Sequence, residues 1–249
     1  MTNKLNQFTT HSSQFTNFAF TLAETLIVMG IIGVVTALTL PNLNSSTGDK
    51  EKVVKVKKIY QNLTDAYGRA TAVYGPASDW ADGNTTSTQK RFGERITEFM
   101  KLSKNCEQTE NLGCFSKEPY SLLNGNKINS NLDADCIGPG GCYRVITADG
   151  ISISFSYWVW ILVDIDGPNK GPNTFGKDIF TFERDNNTNE LIPLGSNYVW
   201  SDLAENCFKR GRGCTAWVIE NDNMDYLKAD SSGKCSNGTQ LSETVTSCK

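Results

Sequence analysis

An acidic segment in the second half of the chain has the residue types of a calcium site. It runs from Asp164 to Asp178 and combines carboxylates and amides with three glycines. Calcium takes several oxygen ligands from such side chains on a tightly turning backbone. The spacing is not that of an EF-hand, because no Glu closes the loop. The candidate ligands are Asp164, Asp166, Asn169, Asn173 and Asp178.

The same residues have a second interpretation. Asp, Asn, Gly and Pro are also the usual turn formers, so a turn-rich connection between two strands explains the segment equally well. The sequence requires no cofactor, and calcium is the one ion that it indicates.

Catalytic chemistry has little support in the composition. The single histidine, His11, precedes an apolar segment that begins near residue 20. Removal of residues 1–19 would leave no histidine for Ser-His-Asp or Cys-His catalysis or for a histidine-ligated metal. The net charge of −3 argues against nucleic acid as a main partner. The sequence therefore predicts a protein that is not an enzyme.

The cysteines indicate an oxidised, exported domain. All eight lie after residue 100, and none has the spacing of a zinc knuckle. An even number in an exported domain is typical of disulfides. Sequence alone does not choose among the many pairings that eight cysteines allow. We predict pairing between neighbours in chain order: Cys106–Cys114, Cys136–Cys142, Cys207–Cys214 and Cys235–Cys248.

The N-terminal segment Phe18-Ala19-Phe20-Thr21-Leu22-Ala23-Glu24 and the apolar run after it organise the chain. From Phe20 to Leu43, Glu24 is the only charged residue. A helix of this length would span about 36 Å at 1.5 Å per residue, enough to cross a bilayer. A secretory signal peptide and a plain membrane anchor are two interpretations, but the first lacks a basic, closely placed n-region and the second has no use for Glu24.

The third interpretation is a family resemblance. Phe20-Thr21-Leu22-Ala23-Glu24, followed by an apolar helix with Gly30, Gly33 and Pro41, resembles the N terminus of type IV prepilins and type II secretion pseudopilins. The resemblance covers about the first 45 residues. It departs from the family at Ala19, where glycine is usual. The Asp164–Asp178 segment is also similar, loosely in spacing, to a calcium-binding loop of major pseudopilins.

The resemblance implies a processing and assembly mechanism. A prepilin peptidase would cut between Ala19 and Phe20 and N-methylate Phe20. Glu24 would then pair with the terminal amine of a neighbouring pilin or pseudopilin subunit, so Phe20 and Glu24 are the assembly residues. The implied location is the bacterial inner membrane, crossed once, with the head in the periplasm or, after assembly, in a cell-surface filament.

The remaining chain predicts an α+β fold: a long N-terminal hydrophobic helix packed on a small antiparallel sheet, with a disulfide-rich, loop-rich head. A break is expected at 42–49, and a two-sided helix follows from Lys50 to Gly75. Asp149-Gly150 predicts a hairpin, and every odd position from Ile151 to Ile165 is apolar. A short helix is expected over 90–102, with further strands at 178–183 and near 191.

These features predict three regions: a leader over 1–19, a transmembrane and assembly helix over 20–43, and a periplasmic or extracellular pilin-like domain over 44–249. The predicted function is that of a pseudopilin or minor pilin. Alternatives are a pilin-stalked adhesin that binds glycans through Trp158, Trp160 or Trp217, and a membrane-tethered periplasmic protein. The lysine cluster at 50–58 is either a solvated face or a contact for anionic partners.

Overall fold

The structure is a computed structural model that describes residues 22–81, 83, 85–128, 132, 133, 136, 141–156 and 160–249, without the side chains of 36–47. The chain divides into two compact units, 1–46 and 47–249, and each is described by itself.

Helix α1 extends over Leu22–Tyr74 without a break. The break expected at 42–49 is therefore wrong, because the backbone remains helical there. The second half has an apolar stripe at steps of three and four residues, as predicted. The stripe residues, all at most 5% exposed, are Val53, Val56, Ile59, Leu63, Ala66, Tyr67 and Ala70.

The predicted hydrophobic membrane helix is not found. Crossing the hydrocarbon core of a bilayer takes about 20 consecutive, mainly apolar residues. Within the described residues, no helix combines the length and the apolar character that a membrane span needs. The transmembrane assignment of 20–43, the long hydrophobic helix of the fold prediction and the single-pass inner-membrane location are corrected accordingly.

In the part of the chain that the structure describes, six antiparallel strands form one sheet in sequence order. Their bounds are β1 Leu102–Glu107, β2 Tyr143–Thr147, β3 Ser152–Ser156, β4 Trp160–Asp164, β5 Ile179–Arg184 and β6 Leu191–Pro193. The predicted Asp149-Gly150 hairpin joins β2 and β3, with Val145 opposite Ile153. Gly150 has a φ of 86°, which glycine adopts without the penalty that a Cβ imposes.

One face of the sheet packs on α1 and α2 (Thr86–Thr97). The predicted odd-position residues Ile153, Phe155, Ile161 and Val163 are fully buried there. Tyr60 of α1 stacks on Phe182 of β5, with ring centroids 5.4 Å apart. The α+β class and the antiparallel sheet on the second half of α1 therefore agree with the pattern of the sequence.

A loop layer covers the other face of the sheet. Phe115, Tyr120 and Phe175 pack there with Leu162 and Ile179. Four disulfides are present, with the pairing predicted in chain order: Cys106–Cys114, Cys136–Cys142, Cys207–Cys214 and Cys235–Cys248. Cys106 and Cys114 belong to the loop layer, whereas Cys207, Cys214 and Cys235 belong to the main core, so local disulfides support both.

Two elements differ from the sequence prediction. The helix expected over 90–102 begins earlier, because the Thr85 side chain accepts a hydrogen bond from the Thr88 N–H and caps it. It ends at Thr97, and Leu102 begins strand β1, which the sequence did not indicate. The strand lacks an alternating pattern because three consecutive residues, Ser103, Lys104 and Asn105, are polar and exposed.

The C-terminal part adds short helical segments. These are α3 (Trp200–Leu203), a π-helical turn (Ala204–Lys209), α4 (Cys214–Asn221) and a 3-10 helix (Asp225–Lys228), with an earlier 3-10 turn at Ala77–Asp79. Trp217 of α4 packs edge-to-face on Phe208, with centroids 5.5 Å apart, and joins the main core.

The approach of α2 to β2 depends on Gly93. A Cβ at Gly93 would lie 2.7 Å from the Cβ of buried Tyr143. We therefore expect Gly93→Ala to destabilise the protein by about 2 kcal/mol, since overpacking outweighs the gain in helix propensity. Urea unfolding measures the change.

Gly68→Ala in α1 is the matched control, because nothing lies within 4 Å of the added Cβ. It should stabilise by about 0.5–1 kcal/mol. Equal effects of the two substitutions would contradict the tight α2–β2 contact.

Candidate functional site

The first half of α1 exposes an apolar surface, here called the apolar segment and defined as Leu22–Val35. Its large apolar side chains are between 52% and 78% exposed. They are Leu22, Leu26, Ile27, Val28, Met29, Ile31, Ile32, Val34 and Val35. Gly30 and Gly33 lie in the same stretch, and a Cβ added at either position would meet nothing within 4 Å. Most other large apolar residues of the described chain are in its cores, so this surface is the exception.

Glu24 lies in the first turn of α1, at the beginning of the apolar segment. It is exposed. An acidic residue in the first turn of a helix is favourable, because the N-terminal N–H groups carry partial positive charge. The predicted cleavage residues Ala19 and Phe20 lie outside the described residues.

The lysine cluster at 50–58 contacts the head of the same chain. Lys55, Lys57 and Lys58 form ion pairs with Asp166, Asp222 and Asp149 at 2.9, 2.7 and 2.9 Å. The three carboxylates belong to turns after β4, α4 and β2. Each partly exposed pair contributes at most about 1 kcal/mol, so the pairs orient turns more than they stabilise the fold.

The acidic loop after β4 is closed by hydrogen bonds to its carboxylates. Asp164 is fully buried, and its Oδ1 accepts from the backbone N–H groups of Asp166 and Gly167, both at 3.1 Å. Asp178 is also fully buried, and its two oxygens accept from the N–H groups of Asn173 and Thr174 at 2.7 and 2.6 Å. The two aspartates therefore act as the turn formers of the alternative interpretation.

Tyr120 completes the environment of Asp164. Its hydroxyl donates to Asp164 Oδ2 at 3.1 Å and accepts from the Ser116 N–H at 3.2 Å. Sequence reasoning missed Tyr120 and Ser116. Tyr120 lies 44 positions from Asp164, and no local pattern joins Tyr120 to Asp164. Only the folding of the loop layer over the sheet brings them together.

Four of the five predicted calcium ligands have other contacts or are exposed, whereas Asn173 Oδ1 is buried without a hydrogen-bond partner among the described residues. The oxygens of Asp164 and Asp178 already accept from N–H and O–H donors, Asp166 pairs with Lys55, and Asn169 is exposed. Within the described residues, no group of three or more acidic, histidine or cysteine side chains is arranged to hold a metal. Calcium binding stays a prediction. The carboxylates of Asp164 and Asp178 accept hydrogen bonds in this structure.

The glycan-binding alternative named three tryptophans, of which the structure describes two. Trp160 lies in the loop-layer cluster, with its Nε1–H donating to Glu183 Oε2 at 3.1 Å. Trp217 belongs to the main core and is 2% exposed. Trp158 lies outside the described residues. The two described tryptophans therefore do not share one surface.

Burial and the nearby Asp178 raise the pKa of Asp164 to about 8. In an unfolded chain the carboxyl has its ordinary pKa near 3.8. Between these values the folded state holds a proton that the unfolded state has released, so this group lowers stability as pH rises from about 4 to 8.

We expect Asp164→Asn, which cannot ionise, to flatten the pH dependence of stability in that window. One such group contributes a slope of at most about 1.4 kcal/mol per pH unit. Urea unfolding at several pH values measures the slope. Exposed Asp202→Asn is the control and should leave it unchanged, whereas an equal slope in wild type and Asp164→Asn would show that Asp164 does not titrate in this range.

Calcium added at pH 8 tests the calcium prediction in the same assay. A bound ion would favour ionised Asp164 and raise the unfolding free energy of the wild type but not of Asp164→Asn. An unchanged wild type at millimolar calcium would contradict the prediction.

Comparisons with models of known protein families, with curated proteins and with solved structures found no match for this chain. The family resemblance therefore continues to rest on the N-terminal residues that carry it.

Proposed function

We propose that this chain is a pilin-like subunit that assembles through the first half of α1 into a filament of the pseudopilus or type IV pilus kind. The observation that carries the proposal is the apolar segment Leu22–Val35, which leaves nine large side chains at least half exposed. Burying one such side chain gives about 1.5–3 kcal/mol, so enclosing the segment would supply on the order of 10 kcal/mol before entropic costs.

The distribution of the apolar residues favours a filament over a simple dimer. Four consecutive residues, 26–29, are large and apolar. At about 100° per residue they cover the whole circumference of the helix. A helix that is apolar all round is stable when it is enclosed on all sides. One partner covers one face, whereas the centre of a helical assembly encloses the segment completely.

Glu24 provides the specificity of this assembly. A carboxylate in an apolar helix bundle is costly unless it has a partner of opposite charge. Prepilin peptidase cleavage between Ala19 and Phe20 would create that partner, the terminal ammonium of a neighbouring subunit. Such a buried pair fixes the register between helices, which nonspecific apolar contact does not.

The head supports the proposal because it does not depend on the apolar segment. The unit over 47–249 has its own core, in which α1 residues from Val53 onward cover the sheet. Local disulfides and ion pairs to the lysine cluster hold its loops. In the proposed assembly, the apolar segment contacts other pilin or pseudopilin subunits, which are the partners.

We expect Glu24→Gln to abolish or strongly reduce filament formation while the head remains folded. The substitution keeps the shape of the side chain and removes the charge that would pair with the neighbour. Electron microscopy and sedimentation of filaments measure assembly, and thermal unfolding of the head should be unchanged.

Glu51→Gln on the same helix is the matched control. Its carboxylate pairs only weakly with Lys55, at 3.4 Å, and both side chains are partly exposed. Filaments should form normally in this variant. Normal assembly of Glu24→Gln would contradict the role assigned to Glu24, and absence of any filament in the wild type would contradict the proposed function.

Processing is tested by the mass of the N-terminal peptide. We expect a peptide that begins at N-methylated Phe20, with faster cleavage in Ala19→Gly because glycine is usual there in the family that the sequence resembles. Val35-Thr36-Ala37 is a small-residue site of the kind that signal peptidases cut. A peptide that begins just after it, at Leu38, would indicate an ordinary signal peptide and would overturn the prepilin interpretation.

A further inference from the structure

A small cavity opens at the C-terminal part of the head, between three segments of chain. Its volume is about 200 Å³. One wall is the turn from Gly195 to Trp200, the second is α4, and the third is the tail around Ser242 to Thr246. Pockets for drug-sized ligands are usually at least about 300 Å³, so this one has the size for a single long side chain.

Aromatic rings form the lining of one side. Tyr198, Trp200 and Trp217 line the cavity. Trp200 and Trp217 lie with ring centroids 6.5 Å apart, tilted by 50°. Tyr198 packs tightly on Gly213, where an added Cβ would lie 2.8 Å from its ring. These rings are held in fixed positions, so the cavity wall is rigid.

The charged residues of the lining are all acidic. Glu220 and Glu243 line the cavity, and no lysine or arginine is among the described residues that do so. Neither glutamate is among the ion pairs of the described chain. Burial raises the pKa of Glu220. Two carboxylates beside aromatic rings are therefore available to a positively charged ligand.

The third wall is fixed by hydrogen bonds at its end. Asn223 accepts from the Trp217 Nε1–H at 3.1 Å and donates to the carbonyl of Thr246 at 3.1 Å. Asp225 accepts from the N–H of Cys248 at 2.8 Å, and Cys248 is bonded to Cys235. The tail is thus tied to α4 and the core, so the cavity exists before any ligand arrives.

We propose that this cavity binds an arginine side chain presented by a partner polypeptide. The guanidinium is planar, stacks on aromatic rings and donates to carboxylates, which matches Trp200, Glu220 and Glu243. Its methylene stem fits an aromatic wall. Arginine is favoured over lysine because a strongly hydrated ammonium does not stack in this way.

The surroundings favour a polypeptide over a free cation. Val199 and Val245 lie within the first and third wall segments, next in sequence to lining residues, and are 63% and 40% exposed. They offer apolar contact to residues that flank the arginine. This site lies in the head and is independent of the apolar segment, so the proposal stands apart from filament assembly.

A peptide titration on the full-length chain, kept monomeric in non-ionic detergent, tests the proposal. The probe is a blocked peptide with one central arginine between two leucines, compared with the same peptide containing citrulline, which is neutral but nearly isosteric. Calorimetry gives the affinity, and NMR of the indole N–H of Trp200 reports the place of binding. We expect binding of the arginine peptide, with a shifted Trp200 signal, and at least tenfold weaker binding of the citrulline peptide.

Variants of the two glutamates test whether their carboxylates bind the arginine of the peptide. Both glutamates are exposed. Glu220→Gln and Glu243→Gln should each weaken binding by about fivefold, near the upper end for exposed ion pairs. Exposed Glu110→Gln is the control and should bind as the wild type does. Both glutamate variants leave the aromatic core intact, so thermal unfolding should remain unchanged.

Three results would overturn the proposal. Equal affinity for the arginine and citrulline peptides would show that charge is not recognised. An unshifted Trp200 signal on binding would place the peptide elsewhere. Equal affinity for free agmatine and for the peptide would show that the site takes a small guanidinium compound and not a partner polypeptide.

Discussion

The fold of the head depends on the burial of one helix stripe against one face of the sheet. Val56, Ile59 and Leu63 of α1 are fully buried and pack in the same core as Ile153, Phe155 and Ile161. The helix period of 3.6 and the strand period of 2 each place apolar residues on one side, so the two apolar surfaces face each other. The sheet order, the position of α2 and the aromatic C-terminal cluster all build on this layer.

Buried carboxylates accept hydrogen bonds from backbone N–H groups that the irregular loop layer leaves without strand or helix partners. A long connection without regular structure leaves backbone N–H groups that need partners. Asp133 accepts from the N–H groups of Gly113, Cys114 and Phe115, and Asp164 and Asp178 do the same in the acidic loop. These aspartates close turns from the inside, and the Cys106–Cys114 disulfide adds a covalent link beside the N–H groups that Asp133 accepts from. Asp164 carries a cost for this role, since its raised pKa reflects burial beside a second carboxyl.

The two halves of α1 have different physical tasks. The second half is amphipathic, and its lysines pair with carboxylates on three turns of the head, so it is satisfied within the chain. The apolar segment, Leu22–Val35, instead exposes nine large apolar side chains. The proposed assembly explains this difference. In it, the head folds by itself, and the apolar segment packs against other subunits. In the same proposal, Glu24 at the N-terminal end of that segment fixes the register between neighbouring helices, which apolar contact alone does not do.

The sequence determined the elements whose signals are local. The α1 stripe, the Asp149-Gly150 hairpin and the alternating β3 and β4 positions were predictable, because periodicity and turn residues depend on near neighbours. The chain-order disulfides agreed with the prediction, but the sequence alone did not exclude other pairings. The apolar segment and its one acidic residue, Glu24, could also be identified from the sequence. The sequence also suggested a break at 42–49 and a membrane span, and the structure corrected both. The break is absent because a helix can continue through residues of weak propensity. The span is corrected because no described helix is long and apolar enough to cross a membrane.

Only the tertiary structure decided which distant residues meet. The contact of Tyr120 with Asp164 and the cavity between Trp200, Glu220 and Glu243 join positions that no local pattern connects. It also decided that the lysine cluster pairs with the chain's own turns, a choice that its charge alone left open. The physical reason is that burial and pairing are properties of neighbours in space, and a sequence specifies those neighbours only through the whole fold.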